Sequence, residues 1–227
     1  MLDLEEYSYL EIIKKYFTKD IVLFDVGLRD GQYTDLFLEK FKGCNIIVHS
    51  FEPNENNYET LNKKFSNNKN IIFNKIALDN ENSTKKFYVI DSNLELSGLS
   101  SLHYRKNVFK KFTIKEINVN TKILDDYCVE NKIDRIDFLK IDVEGNELNI
   151  IKGSKQLLQN KKIDFIQFEY GLCWEDAKAT IKECLEFLHS YGYKVYSHFN
   201  KLEEVTSLED GYKDLKCTNY LATYKVL

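Results

Sequence analysis

Proline is almost missing from this sequence, one residue in 227, and glycine stands at only nine. That scarcity excludes collagen-like and low-complexity chains. No charge-free apolar run approaches the roughly 20 residues that a membrane helix needs, so no membrane span is expected. No basic block is long enough to follow a phosphate backbone, and 32 Lys and Arg stand against 36 Asp and Glu, for a net charge of −4. A nucleic-acid partner is therefore not expected. The five cysteines, Cys44, Cys128, Cys173, Cys184 and Cys217, form no C-x-x-C pair and no His-spaced metal pattern. They read as buried thiols in a reducing compartment. The opening Met1-Leu2-Asp3-Leu4-Glu5-Glu6 is acidic and lacks the basic and then apolar regions of a signal peptide, which makes the cytoplasm the expected location.

What the chain does contain is apolar and aromatic surface, 43% and 14% of its residues, enough for a sizeable core in one domain over 1–227. Leu4, Tyr7, Leu10, Ile13 and Phe17 recur at helical spacing, predicting an opening helix over 3–18. Ile21-Val22-Leu23-Phe24 then runs uninterrupted into Asp25-Val26-Gly27, as suits a central parallel strand covered on both faces. A helix from about Gly31 to Phe41, a strand over Asn45–Phe51, a helix carrying Tyr58, Leu61 and Phe65, and a strand from Ile71 continue the alternation. It resumes with helix 122–131, strand 136–142, helix 146–159, strand 163–169, a helix carrying Ile181 to Leu188 and strand 193–198. Alternation of this kind implies an α/β fold with crossover connections and a mostly parallel sheet. Between 79 and 121 the pattern fails, and this stretch is expected to be an insertion over the ligand-bearing edge of the sheet. The last strand, Tyr220 to Val226, follows a link without a convincing helix, so it is expected to pair antiparallel.

Two segments carry chemistry. The first is Asp25-Val26-Gly27-Leu28-Arg29-Asp30-Gly31, placed where strand one turns into its helix, the position at which doubly wound folds bind nucleotides. Gly27 lets the backbone turn sharply, and Gly31 lets a ligand approach the helix start. Glu52, at the end of strand two, can accept both hydroxyl protons of a ribose. A tight turn and a solvated glutamate would use the same residues without a ligand. The second segment is Asp137-Phe138-Leu139-Lys140-Ile141-Asp142-Val143-Glu144-Gly145-Asn146-Glu147. Strand alternation would point Lys140, Asp142 and Glu144 the same way. A bare ion pair between Lys140 and Asp142 is the competing explanation. Glu169 closes the neighbouring strand at the same sheet edge, so Asp142 and Glu169 can face one ligand or one divalent ion such as Mg²⁺ or Mn²⁺.

From Val22 to Gly171 the chain resembles the FkbM family of S-adenosylmethionine-dependent methyltransferases. Asp25, Val26, Gly27, Gly31, Tyr33 and Thr34 match that family's D-V-G-A-N-x-G-x-Y-T, with Leu28 and Arg29 in place of Ala-Asn. Phe51-Glu52-Pro53 matches F-E-P, Ala77-Leu78 an alanine-leucine pair after strand three, and Ile123-Leu124-Asp125-Asp126 the T-L-D-D segment. Lys140-Ile141-Asp142-Val143-Glu144-Gly145 with Glu147 matches the most specific motif. The resemblance implies a Rossmann-like, seven-stranded methyltransferase fold with an antiparallel last strand. It also implies S-adenosyl-L-methionine as cofactor and O-methylation of a small-molecule acceptor, a hydroxyl of a sugar, nucleotide sugar or related glycan. Glu52 would then hold the ribose hydroxyls, Asp25 and Gly27 the methionine portion, and Ala77 with Leu78 the adenine neighbourhood, with Gly31, Tyr33, Thr34 and Pro53 also binding the cofactor. Asp142, Glu144 and Glu169 are the candidates for acid–base work, with Asp142 and Glu169 as the candidate metal pair.

Acceptor choice is expected in 92–110 and 198–216, the least regular stretches beside the site. His49 reads as a core histidine, and His103 and His198 as reserve bases. Trp174 and Tyr170 read as aromatic packing more than as a sugar platform. The rivals are a non-catalytic nucleotide-binding module and a dinucleotide oxidoreductase. Against the latter, Gly27 and Gly31 stand four apart and a G-x-G-x-x-G is absent. Oligomeric state is left open by the sequence.

Overall fold

Tyr9, Leu10 and Ile13 share one face of the opening helix, Leu4–Ile13 (α1), and all three are fully buried. The helix ends there, in one 3₁₀ turn at Lys14–Tyr16, short of the expected residue 18. The structure, a computed structural model, describes residues 4–92, 94–198, 202–206 and 218–227. After α1 the chain alternates as its hydrophobic runs dictate: Asp20–Val26 (β1), Gln32–Lys40 (α2), Asn45–Phe51 (β2), Glu55–Lys64 (α3) and Ile71–Asn74 (β3). Ala77–Asp79 (β4), Ser83–Ile90 (β5), the short helices Leu94–Ser97 (α4) and Lys106–Phe109 (α5), and Ile114–Ile123 (β6) follow. Leu124–Glu130 (α6), Ile136–Ile141 (β7), Glu147–Lys152 (α7), Lys155–Gln159 (α8), Ile163–Tyr170 (β8), Cys173–Asp176 (α9) and Ile181–Ser190 (α10) restore the alternation. Lys194–His198 (β9), Leu202–Glu204 (β10) and Thr218–Thr223 (β11) complete the strands.

The main sheet has the order β10-β9-β11-β8-β7-β1-β2-β3. Its central pairs, β1 with β2, β1 with β7 and β7 with β8, are parallel, whereas β11 runs antiparallel to both β8 and β9. Eight strands replace the expected seven because Leu202–Glu204 pairs antiparallel with Ser197 and its neighbours at the outer edge. In-register residues show why the central strands are apolar throughout. Leu23, Phe138 and Phe165 line up on one face and Phe24, Leu139 and Ile166 on the other, and all are fully buried. Each face thus carries its own core, and each such side chain contributes about 1.5–3 kcal/mol by leaving water.

The 79–121 insertion builds a separate three-stranded sheet, β4-β6-β5, in which β5 and β6 form a long antiparallel pair. The helix expected over 146–159 divides in two. Gly153 lies so close to β4 that a Cβ there would stand 2.4 Å from the Asp79 carbonyl oxygen. The second half starts afresh, its first amides, Gln156 and Leu157, donating to the Asp125 carboxylate at 2.8 and 3.0 Å. Among the described residues, no helix is long and apolar enough to cross a membrane.

Candidate active site

Where β1 meets β7 the two backbones approach as closely as glycine permits. A Cβ on Gly27 (φ 87°) would lie 1.7 Å from the Asp142 carbonyl oxygen, and Asp142 N–H donates to the Val26 carbonyl at 3.0 Å. The turn then passes through Arg29, itself left-handed at φ 50°, to Gly31 (φ 75°), where a Cβ would strike the Phe65 ring. Above this junction opens a cleft with about 870 Å³ of empty space, the open solvent at its mouth included. Gly27, Glu52, Pro53, Ala77 and Leu78 form one side of it, and Asp142, Glu144 and Glu169 gather at the carboxyl ends of β7 and β8.

Glu52 is 6% exposed, and its Oε1 accepts the Asn54 N–H at 2.8 Å. Burial pushes its carboxyl up to about 7 against the pull of the Asn54 amide and the Asn57 side chain. Asn57 in turn accepts a hydrogen bond from Ser97 at 2.8 Å, so the insertion is tied to the wall that carries Glu52.

Asp25, Tyr33, Thr34 and Gly31 lie off the cavity wall. Asp25 is fully buried beneath it, with Oδ2 accepting the Thr34 hydroxyl at 2.6 Å and Oδ1 lacking a hydrogen-bond partner. Desolvation raises its pKa, opposed mainly by Lys140, whose Nζ stands 3.9 Å away. The Tyr33 hydroxyl donates to Gln167 at 2.9 Å, and the Tyr33 ring lies under Lys140 Nζ at 5.1 Å. These residues support the floor from below.

Lys140, Asp142 and Glu144 do not form the single row that strand alternation implied. β7 ends at Ile141, and Glu144 (φ 61°) and Gly145 (φ 116°) turn the chain away. Lys140 Nζ lies 3.2 Å from Asp142 Oδ2, so the bare ion pair weighed from sequence is present, but the Asp142 carboxylate also lines the cavity. Glu144 instead meets Arg105 of the insertion at 2.5 Å, both side chains being largely buried. Burial drives the Glu144 carboxyl above the ordinary range, and the Arg105 guanidinium pulls it back.

Two contributors had no role assigned from sequence. Glu147, fully buried, accepts the N–H groups of Val143 and Gly145 at 2.9 and 3.0 Å and so shapes the turn, its pKa pushed by burial to about 7. Asn146 lines the cavity, donates to the Leu78 carbonyl at 3.0 Å and faces His103 Nε2 at 3.0 Å. The signal for both was their place in the run following Gly145.

The carboxylates and thiol of Glu144, Glu169 and Cys173 lie mutually within 4.8 Å. Burial drives the Cys173 thiol far up, and Glu144 of this set is paired with Arg105. Asp142, half of the expected metal pair, is taken by Lys140 and is absent from that cluster. His49 is a core residue bonded to the Tyr127 hydroxyl at 2.8 Å. Trp174, 1% exposed, packs against Tyr170 and donates to the Glu169 carbonyl, leaving no face for a sugar. The His198 side chain and most of 198–216 lie outside the described residues.

A model of the FkbM methyltransferase domain matches residues 25–195. The protein called 2-O-methyltransferase NoeI, from Sinorhizobium fredii strain NGR234, is 27% identical over 161 residues, 67% of this chain and 64% of that protein. The chain therefore spans less than two thirds of this relative's length. Among solved structures, an FkbM methyltransferase from Methylobacillus flagellatus KT matches at TM-score 0.56 and 15% identity, over 96% of this chain and 48% of that one. A Clostridium thermocellum protein assigned as an rRNA methylase matches at TM-score 0.51 and 10% identity, over 98% and 97% of the two chains. At these identities the two structures show the fold alone.

Proposed function

The chain belongs to the FkbM methyltransferase family, and from that premise we propose that it is an S-adenosylmethionine-dependent O-methyltransferase acting on a hydroxyl of a sugar, nucleotide sugar or related small glycan. The observation that carries this reading is the convergence, in one cleft, of the Gly27–Asp142 backbone approach, the buried carboxyl of Glu52 and the carboxylate of Asp142. The name of NoeI supports oxygen as the atom methylated.

The residues present fit the cofactor. Glu52 lines the cavity with a buried carboxyl that can accept from a ribose diol, and Ala77 with Leu78 offers an apolar slot for an adenine. Gly27 lines the cavity where β1 turns, so a ligand there would lie against its backbone. When bound, S-adenosylmethionine supplies a methyl group on a sulfonium sulfur, already a strong electrophile.

The protein's remaining task is to align and deprotonate the acceptor. An alcohol, with a pKa of about 16, close to that of water, is a poor nucleophile while protonated. Asp142 is the group placed to take that proton, since it reaches the cavity from the end of a rigid central strand. Lys140 Nζ pairs with it at 3.2 Å and fixes its direction. Glu169 lines the same end of the cavity and can orient the hydroxyl, while Glu144 is committed to Arg105.

Calorimetric titration with S-adenosylmethionine and NAD, followed by a labelled-methyl transfer screen over nucleotide sugars, tests the reading. Binding of the sulfonium cofactor and methyl transfer to a sugar hydroxyl are expected. Binding of NAD alone, or cofactor binding with no transfer to any hydroxyl acceptor, would overturn it.

A further inference from the structure

The charges on the cavity wall are unevenly distributed. Glu52, Asp142, Glu144 and Glu169 line it, and among its described residues Arg29 is the single cation. Arg29 stands two residues beyond Gly27, in the left-handed turn at the end of β1, with its neighbour Leu28 buried and Arg29 itself exposed. Arg29 and Glu144 both line the cleft, so a cation shares its wall with carboxylates. Opposite charges on one wall match a zwitterion better than a simple anion.

The cofactor reading given above orders the cleft: adenine beside Ala77 and Leu78, ribose at Glu52, then the crossing over Gly27. The amino-acid end of the cofactor, an α-carboxylate beside an α-ammonium, is what comes next along that line. Resting on that reading, we propose that Arg29 binds the α-carboxylate of the cofactor, while the carboxylates across from it face the α-ammonium. Guanidinium pairs with carboxylate in a planar, two-bonded fork that a lysine ammonium cannot reproduce. Arg29, which stands in place of the Asn of the motif this segment resembles, thus becomes a binding determinant.

The test is a binding cycle on the full chain at pH 8. S-adenosylhomocysteine carries the amino-acid end, and 5′-methylthioadenosine has the same adenosine and sulfur without it. In Arg29→Gln, affinity for S-adenosylhomocysteine is expected to fall about ten- to a hundredfold, the worth of a hydrogen bond to a charged group, with methylthioadenosine unchanged within about twofold. Arg29→Lys should recover part of the loss. An exposed side chain can be changed without unfolding the chain, and the methylthioadenosine affinity checks that directly. Equal losses for both ligands would mean that Arg29 merely shapes the turn, and no loss for either would remove it from the site. Unchanged S-adenosylhomocysteine affinity with lost binding of UDP-glucuronate would assign the guanidinium to an anionic acceptor instead. Failure of the wild type to bind S-adenosylhomocysteine would overturn the cofactor reading itself, a result distinct from all of these.

Discussion

Arg105 Nη1 lies 2.5 Å from Glu144 Oε2, joining the 79–121 insertion to the turn that ends β7. Around this pair Ser101 donates to the Glu144 carbonyl at 2.8 Å, Arg105 to the Leu99 carbonyl at 3.2 Å, and His103 meets Asn146 at 3.0 Å. The insertion is thus fastened to the same turn that presents Asp142. Removing one member of a buried pair strands the other charge, at a cost of about 3–5 kcal/mol, whereas removing both can be nearly neutral. Arg105→Met is therefore expected to lose that much stability in urea unfolding, and Arg105→Met with Glu144→Leu much less. A double variant as unstable as the two single losses added together would contradict the coupling.

The buried carboxyl of Glu52 should make cofactor binding depend on pH. Only the ionised form can accept two ribose hydroxyl protons, and its pKa is near 7. Affinity should therefore be about tenfold weaker at pH 6 than at pH 8, by simple competition between proton and ligand. In Glu52→Gln the affinity should be weak and flat with pH. Calorimetry across pH 6 to 8.5 reads both, and a pH slope that persists in the variant would remove Glu52 from the ribose role.

The same group fixes the sign of the pH dependence of stability. Glu52 and Glu147 have folded pKa values of about 7, above the usual 4.5, so the folded state holds their protons more tightly than the unfolded one. Their stabilising contribution is present below pH 4.5 and is lost as pH rises to about 7. Glu52→Gln should match wild type near pH 4.5 and melt higher at pH 8. A variant less stable than wild type at pH 8 would mean that the ionised carboxylate is well compensated.

Asp142→Asn keeps the shape of the side chain and removes its charge. It should bind S-adenosylmethionine within a few-fold of wild type while turnover falls by about 10²-fold or more. Excess chelator should leave wild-type activity unchanged, since Lys140 and Arg105 already neutralise two of the carboxylates. Full activity in both Asp142→Asn and Glu169→Gln would end the base assignment. Activity lost to chelator and restored by Mg²⁺ or Mn²⁺ would reinstate the metal.

Gly27→Ala places a methyl group 1.7 Å from the Asp142 carbonyl oxygen at a φ of 87°. Either effect alone strains the turn, and together they force β1 and β7 apart at the cleft floor. A loss of several kcal/mol in urea unfolding, together with loss of cofactor binding, is expected. An alanine variant that binds normally would mean that the junction can slide.

The sheet was legible because its signals are local. Uninterrupted apolar runs such as Ile21–Phe24 suit strands covered on both sides, and their alternation with helices implied a mostly parallel sheet. Positions depending on contacts across the chain were not. Alternation placed Glu144 in line with Asp142, yet its direction is set by Arg105, 39 positions earlier, through an insertion whose docking no periodicity encodes. Likewise Tyr33 and Thr34 belong to the quoted motif, but their hydroxyls turn inward to Gln167 and Asp25 because those buried polar groups need partners. The eighth strand escaped because three residues, Leu202–Glu204, are too few to show a period.

The placement of β11 between β8 and β9 has a consequence for how the molecule is made. During synthesis every other strand emerges first, so β8 and β9 must wait with facing edges bare until Thr218–Thr223 arrives to fill the slot. The cofactor half, β1, β2, β3 and β7, can pair beforehand. A nascent chain stopped before Thr218 would then carry a formed nucleotide turn beside an open, adhesive gap in its sheet, the state a ribosome-associated chaperone would have to shield.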